Sequence, residues 1–312
     1  MKIGPRRPVG RRGGFTGRWT WTLIGGGGLS LSISKAVSEA GSKAEKLIRE
    51  LERKYIEASK PVTTTHLWEH SKQVADIAVE IGRRAGADLE VVALASLFHD
   101  VGKFYSGQYH RDEVREEVHS ARAAEKIMRE CGLSQEKIGR VVEAIHSLYG
   151  EETPASLECK VLRDADLLSK SGALGVANFF IKWSARGMNM SDMLISELGR
   201  ELSYLENLDK LVLTEAARGI VREKISFGME FFDRLARELG EFRILGIGLT
   251  RLVYEDTPLV VVKLEKCGCG GEFTLNLGSE DTPTCRRAVI TQRCGRCGKE
   301  YKTSYCMPLI RP

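Results

Sequence analysis

All six histidines of this 312-residue chain fall between His66 and His146, and one of them opens the run His99-Asp100-Val101-Gly102-Lys103 at the end of an apolar stretch. Histidine placed only for packing would not crowd into about a quarter of the chain. Imidazole nitrogen beside a carboxylate oxygen suits Zn, Mn, Fe, Co or Ni, and the carboxylate lets Mg compete. Adjacent residues on a helix point about 100° apart. His99 and Asp100 can therefore reach one ion only if it sits near a helix end, between helices, with other helices supplying the remaining ligands.

The hydrophobic pattern supplies such helices. Ala44, Leu47, Ile48, Leu51 and Tyr55 recur at three and four residues over Ser34 to Ser59. A second helix is expected over His66 to Arg84, with Val74, Ile77, Ala78 and Ile81 on one stripe and Gly86 as its stop. Leu89 to Phe104 reads as a third, nearly all apolar and therefore buried. Glu113–Glu130 and Gln135–Leu148 follow, the latter with Ser134 as candidate N-cap. Leu157–Trp183 and Asp209–Leu239 complete a largely helical body. Near Gly240 the composition changes. Phe242–Leu245 and Leu259–Val262 are β-type runs, followed by Gly- and Cys-rich sequence. The expected organisation is a helical domain over residues 35–240 and a small β-rich domain over 241–312, in a chain that is mainly α. An apolar content of 42% leaves ample material for a core.

Charge and hydropathy exclude some classes. Residues 1–34 carry Lys2, Arg6, Arg7, Arg11, Arg12 and Arg18 and no acidic residue. These six charges exceed the net +5 of the whole chain, so the remainder is close to neutral and is no backbone-tracking nucleic-acid binder. Residues 1–34 read as a basic, Gly-rich disordered tail. No run of 18 apolar residues occurs, so no membrane span is expected, and the cysteine placement described below points to a reducing, cytoplasmic location. The oligomeric state leaves no mark in the sequence.

Within the helical part, His70 can project from one turn of the second helix. A third ligand-bearing segment is Leu162-Arg163-Asp164-Ala165-Asp166-Leu167-Leu168, whose two carboxylates are costly to bury unless something positive meets them. His70, His99-Asp100 and Asp166 resemble the H…HD…D signature of the HD superfamily of metal-dependent phosphohydrolases. The run from His99 to Lys103 is similar to that family's HDIGK variant, and the residues around Asp166 are similar to its DAD-x-L element. The resemblance covers about residues 60–190.

The resemblance implies an all-helical fold with the metal between helices. His70, His99, Asp100 and Asp166 would be ligands of one divalent ion (Mn, Mg, Fe, Co or Ni), with Asp100 able to bridge to a second. Asp166 is preferred to Asp164 because the matching family aspartate directly precedes the x-L pair. In two-metal branches two further histidines lie between the HD pair and the last aspartate, and His119 and His146 occupy that order; the alternative is that they contact substrate or support the ligands. A bound ion lowers the pKa of its water, so a hydroxide exists to attack phosphorus. Asp100 and Lys103 are the expected catalytic residues, with Lys103, Arg111 and Arg115 offsetting phosphoryl charge. The expected substrate is a small phosphate mono- or diester, nucleotide in type. His66 reads as a capping histidine and His110 as a loop residue.

Six of the eight cysteines lie within Cys267–Cys306. Cys267, Cys269, Cys294 and Cys297 suit a closed, four-thiolate structural zinc site resembling a zinc ribbon. The first pair is C-x-C rather than C-x-x-C, so Cys285 or Cys306 are candidates to replace Cys267. Cys131 and Cys159 read as small buried hydrophobes. Arg286, Arg287, Arg293, Arg296, Lys299 and Lys302, with Tyr301 and Tyr305, leave open a nucleic-acid contact at this end; solvated charges on a zinc-dependent fold, or a protein contact, are the alternatives. The second functional class is accordingly a nucleic-acid-binding or ligand-sensing protein in which the helical domain keeps a metal and nucleotide pocket.

Overall fold

A computed structural model of the chain describes residues 34–59, 66–105, 114–148, 153–282, 285–307 and 309. The expected tail, apart from Ser34, lies outside these residues, as do His110 and Arg111. Among the described residues the order is eleven α-helices followed by five strands: α1 (Lys35–Ser59), α2 (Leu67–Ala85), α3 (Leu89–Phe98), α4 (Glu116–Glu130), α5 (Gln135–Ser147), α6 (Leu157–Ser169), α7 (Gly172–Ala185), α8 (Met190–Ser196), α9 (Leu198–Glu206), α10 (Leu208–Leu211), α11 (Glu215–Glu241), β1 (Ile247–Tyr254), β2 (Thr257–Leu264), β3 (Phe273–Asp281), β4 (Arg286–Cys294) and β5 (Glu300–Met307). The chain is mainly α with small antiparallel sheets at its C-terminal end. Among the described residues no helix is long and apolar enough to cross a membrane.

Several expected helices end earlier than their apolar pattern. The third stops at Phe98 and continues as a 3-10 turn over Val101–Phe104. The helical stretch Leu157–Trp183 is two helices, broken at Lys170-Ser171. That over Asp209–Leu239 starts at Glu215, where Thr214 accepts from the Ala217 N–H. Helices α8 and α9 had no expectation, although Leu194, Leu198, Leu202 and Leu205 repeat at helical spacing and are buried. Phe242–Leu245 is no strand: Phe242 caps α11 and is exposed, and β1 begins at Ile247.

The helical core is built around α3. Val91 to Phe98 are all buried, which explains a run with no amphipathic stripe. Helix α2 packs on both α3 and α6, and α5 packs on α3, α4 and α6. Asp88 caps α3 through the N–H groups of Glu90 and Val91.

Strand β2 joins the sheets to the helices. Val260, Val262 and Leu264 sit in the helical core. Leu259 and Val261 point the other way, into a second cluster with Ala288, Ile290, Tyr305 and Met307. A strand covered on both faces reads as a continuous apolar run, which is the reason for Leu259–Val262. One edge of β2 pairs with β1. The other is closed by side chains. The Asn207 amide donates to the Pro258 carbonyl (2.9 Å), Val260 N–H donates to Ser203 Oγ (2.7 Å), and Tyr305 donates to the Val260 carbonyl (3.0 Å). Gln292 of β4 donates to the Val262 carbonyl (2.8 Å) and accepts from Leu264 N–H (2.9 Å). Unmet strand-edge groups are thus satisfied without another strand.

Replacing Ser203 with Ala leaves the Val260 N–H buried without its acceptor. The expected loss is about 1–3 kcal/mol, read as a lower urea midpoint with an unchanged m-value.

Candidate metal centre

The α-to-3-10 switch after Phe98 builds the first half of the site. His99 keeps helical geometry as the C-cap of α3, and Asp100 leaves it at φ −107°, ψ 4°. In a 3-10 turn side chains at i and i+3 eclipse. Lys103 therefore lies over Asp100, and its ammonium pairs with Asp100 Oδ2. Gly102 lets α4 close over this turn: a Cβ there would come within 2.0 Å of the Glu116 carbonyl oxygen. The Gly102 N–H donates to Ser120 Oγ (2.9 Å).

His70, from the second turn of α2, and Asp166, from α6, face this end of α3. His70 Nε2 lies 3.4 Å from Asp100 Oδ2 and 3.5 Å from Asp166 Oδ1. His99 Nε2 lies 3.3 Å from Asp100 Oδ2 and 3.9 Å from Asp166 Oδ1. The nitrogen and oxygen donors of His70, His99 and Asp100 all fall within 4.8 Å of one another, as one ion requires.

The protonation pattern shows what the cluster is able to hold. His99 Nδ1 contacts the Ser96 carbonyl oxygen at 2.6 Å, and a carbonyl only accepts, so Nδ1 carries the proton. In the neutral ring, Nε2 then presents a lone pair to two carboxylates. His99 Nε2 and Asp166 Oδ1 are both buried without a hydrogen-bond partner. Such a group of acceptors calls for a cation at its centre. The lysines and the imidazoles in their charged form are the positive partners the chain itself supplies. Burial works against the charged forms, yet Asp100 and Asp166 hold the His99 ring above its ordinary value. Against the same burial, His99 and Lys103 hold the Asp100 carboxyl well below its range. Lys170 and the two imidazoles do so for Asp166. The donor set fits a divalent first-row ion or Mg.

Asp164 and Asp166 are two residues apart on α6, so they point to nearly opposite faces. Asp164 accepts from Leu213 N–H (2.7 Å), Thr214 N–H (2.8 Å) and Thr214 Oγ1 (2.7 Å), at the start of α11. Burial raises its carboxyl despite these donors. Its role is to fasten α11.

The other expected residues lie apart from this cluster. His119 is buried on α4 and stacks on Tyr105 (centroids 4.1 Å apart), next to the Lys103 turn. His146 is exposed in the last turn of α5. Arg115 caps α4 and pairs with Glu117 (2.6 Å), its side chain exposed. His66 is the N-cap of α2, in left-handed conformation at φ 54°. Lys170 had no expectation, although its i+4 spacing from Asp166 within one helix was a signal.

At the other end, the sulfurs of Cys267, Cys269, Cys294 and Cys297 all lie within 4.8 Å of one another. Cys267 Sγ is 3.5 Å from Cys297 Sγ, and Cys269 Sγ is 3.5 Å from Cys294 Sγ. Both turns close alike, with Gly270 N–H donating to the Cys267 carbonyl (2.7 Å) and Gly298 N–H to the Cys294 carbonyl (3.0 Å). Backbone N–H groups of Cys297 and Arg296 pull the Cys294 thiol down to about 6. Cys285 and Cys306 form a disulfide with each other and so do not replace Cys267. Cys159 is buried and Cys131 half-buried.

The HD domain family model matches residues 67–171, which include His70, His99, Asp100 and Asp166. YpgQ of Bacillus subtilis strain 168 is 28% identical over 180 residues, which are 56% of this chain and 84% of YpgQ. Ribonuclease Y of Borrelia garinii subsp. bavariensis is 32% identical over 149 residues, 45% of this chain but 27% of the ribonuclease. A crystal structure of a Lactobacillus plantarum protein superposes with a TM-score of 0.50 at 17% identity, covering 67% of this chain and 99% of that one. The helical part thus has the HD-type fold, and the four-cysteine cluster at the other end is consistent with a zinc ribbon.

Asp166→Asn is expected to abolish Mn2+ binding measured by titration. Asp164→Asn is expected to bind Mn2+ as wild type but to unfold about 1–3 kcal/mol more readily, because an amide presents a donor to donors.

Proposed function

We propose that this protein is a metal-dependent phosphohydrolase acting on a small phosphate ester, nucleotide in type. The observation that carries the reading is the buried convergence of two imidazole nitrogens and two carboxylates with a lysine ammonium on the same oxygen. The HD domain match and the resemblance of His99–Lys103 to the family's phosphohydrolase motif support it.

His70, His99, Asp100 and Asp166 would hold the ion. When bound, a divalent ion supplies a Lewis acid for a phosphoryl oxygen and an activated water. The chain's own residues do the rest. The Ser96 carbonyl fixes the His99 tautomer, so that Nε2 is a ligand and not a donor. Lys103 is only 13% exposed along its side chain. Its ammonium pairs with Asp100 Oδ2 beside the two imidazoles, where a cation would offset charge on a bound phosphoryl group. A second ion would draw on His119 and His146, and metal content per chain distinguishes one ion from two.

At the C-terminal end, the four cysteines would hold a structural zinc. Four thiolates about 2.3 Å from a tetrahedral zinc stand about 3.8 Å apart, close to the sulfur spacing here. The nucleic-acid reading of this end finds less support. Tyr305 is fully buried, Tyr301 packs edge-on against Phe273, Arg286 pairs with Glu255 and Lys302 with Glu280. These groups serve the fold itself.

Two experiments test the proposal. Wild type is expected to release phosphate from at least one member of a panel of nucleotides and generic mono- and diesters, with Mg, Mn, Co or Ni added in turn. Asp100→Ala should lose that turnover at least a hundredfold, on the order expected for removing about 2.7 kcal/mol or more of barrier lowering. Equal turnover in both proteins rejects the assignment. Elemental analysis of purified protein is expected to find one zinc per chain, lost in Cys297→Ser; wild type without zinc rejects the ribbon site.

A further inference from the structure

Resting on the ion reading above, we infer that Lys170 is a positioning residue that makes Asp166 a one-oxygen ligand. The two carboxylates of the site are held by lysines in different ways. Lys103 pairs with Asp100 Oδ2, the same oxygen that faces both imidazoles. Lys170 Nζ takes Asp166 Oδ2 at 2.8 Å, while Oδ1 faces His70 and His99 and has no hydrogen-bond partner. Lys103 thus shares with the imidazoles the oxygen that would hold an ion, whereas Lys170 takes the oxygen of Asp166 that faces away from them. Lys170 therefore turns the carboxylate so that one oxygen is spoken for and the other is presented.

The surrounding chain holds Lys170 in place. It is in the turn that ends α6, four residues beyond Asp166, so both side chains lie on one face. Helix α7 returns tightly against this turn: a Cβ on Gly175 would lie 2.4 Å from the Lys170 carbonyl carbon and oxygen. Asn178 of α7 donates to the Ser169 carbonyl (3.2 Å) and to Gln73 Oε1 (3.3 Å). Gln73 is three residues past His70 on α2. The turn bearing Lys170 is thus tied to the helix bearing the opposite ligand. A solvated lysine placed only to favour a helix C-terminus would need none of these ties.

Charge and orientation predict opposite signs, which makes the inference testable without a known substrate. Removing a cation beside a divalent ion, by charge alone, tightens ion binding. Losing a hydrogen bond that orients a ligand weakens it, by 10–100-fold in typical cases. The experiment titrates Mn2+ into wild type, Lys170→Met, Lys170→Gln and Lys170→Arg, following free Mn2+ by electron paramagnetic resonance. Inorganic phosphate is then titrated into each Mn2+-saturated protein. Thermal melting of the metal-free proteins identifies any variant that fails to fold, and the Gln variant stands in if Met does.

The expected result is an Mn2+ Kd about tenfold weaker or more in Met and Gln, with Arg within about threefold of wild type and phosphate affinity unchanged. Mn2+ binding as tight as wild type, or tighter, in Met and Gln overturns the inference. So does a loss of phosphate affinity with Mn2+ affinity retained, which would place Lys170 on the phosphate. Arg as weak as Met overturns it too. Wild type that binds no Mn2+ rejects the ion reading itself, a result distinct from all of these.

Discussion

Asp100 and Asp166 are buried carboxylates in an apolar helical core, and that core has to supply positive charge or hydrogen-bond donors where they stand. Two lysines and two imidazoles meet them, each from a different stretch of chain. Lys103 arrives through the 3-10 turn, Lys170 through the last turn of α6, His70 through α2 and His99 through the end of α3. The closeness of α4 to Gly102, of α7 to Gly175 and of α2 to α6 follows from keeping these four groups on one point. A packing error of one helical turn in any of them, about 5.4 Å, would strand a charge.

The break after Phe98 illustrates how chemistry overrides periodicity. The apolar run from Val91 continues in character through Val101 and Phe104, and one unbroken helix satisfies its pattern. The chain instead tightens at Asp100 because α4 seats against Gly102 and because Asp100 needs Lys103 above it. The same competition splits the segment after Ser169, where α7 must turn back on Lys170.

The C-terminal sheets depend on the helices in a way their composition does not suggest. Strand β2 lends one face to the helical core and the other to the small cluster beneath β4 and β5. Its open edge is met by Ser203 and Asn207 from α9 and by Gln292 and Tyr305 from the sheet. Helix α11 ends at Glu241, next to the change of composition near Gly240, yet β2 packs into the helical core from beyond it.

Much of the site was legible in the residues. His70 and the His99-Asp100 pair are candidates from ligand chemistry and helical spacing, which belong to side chains and to short stretches of backbone, and Asp166 joins them through the resemblance to the HD signature. The four cysteines are candidates from ligand chemistry as well. What the sequence left open required distances between remote segments. Asp164 and Asp166 carry the same carboxylate in the same helix; only the start of α11, with its three donors, claims one and leaves the other to the histidines. His119 and His146 stand in the right order along the chain, yet one stacks on Tyr105 and the other faces solvent. Cys285 and Cys306 were candidates for the metal site until β4 and β5 paired them. Sequence determined which groups are able to bind an ion and which segments coil, since these are local matters of chemistry and periodicity. Tertiary structure decided which of several equivalent groups points at the common centre, since that depends on which face of each helix its neighbours cover.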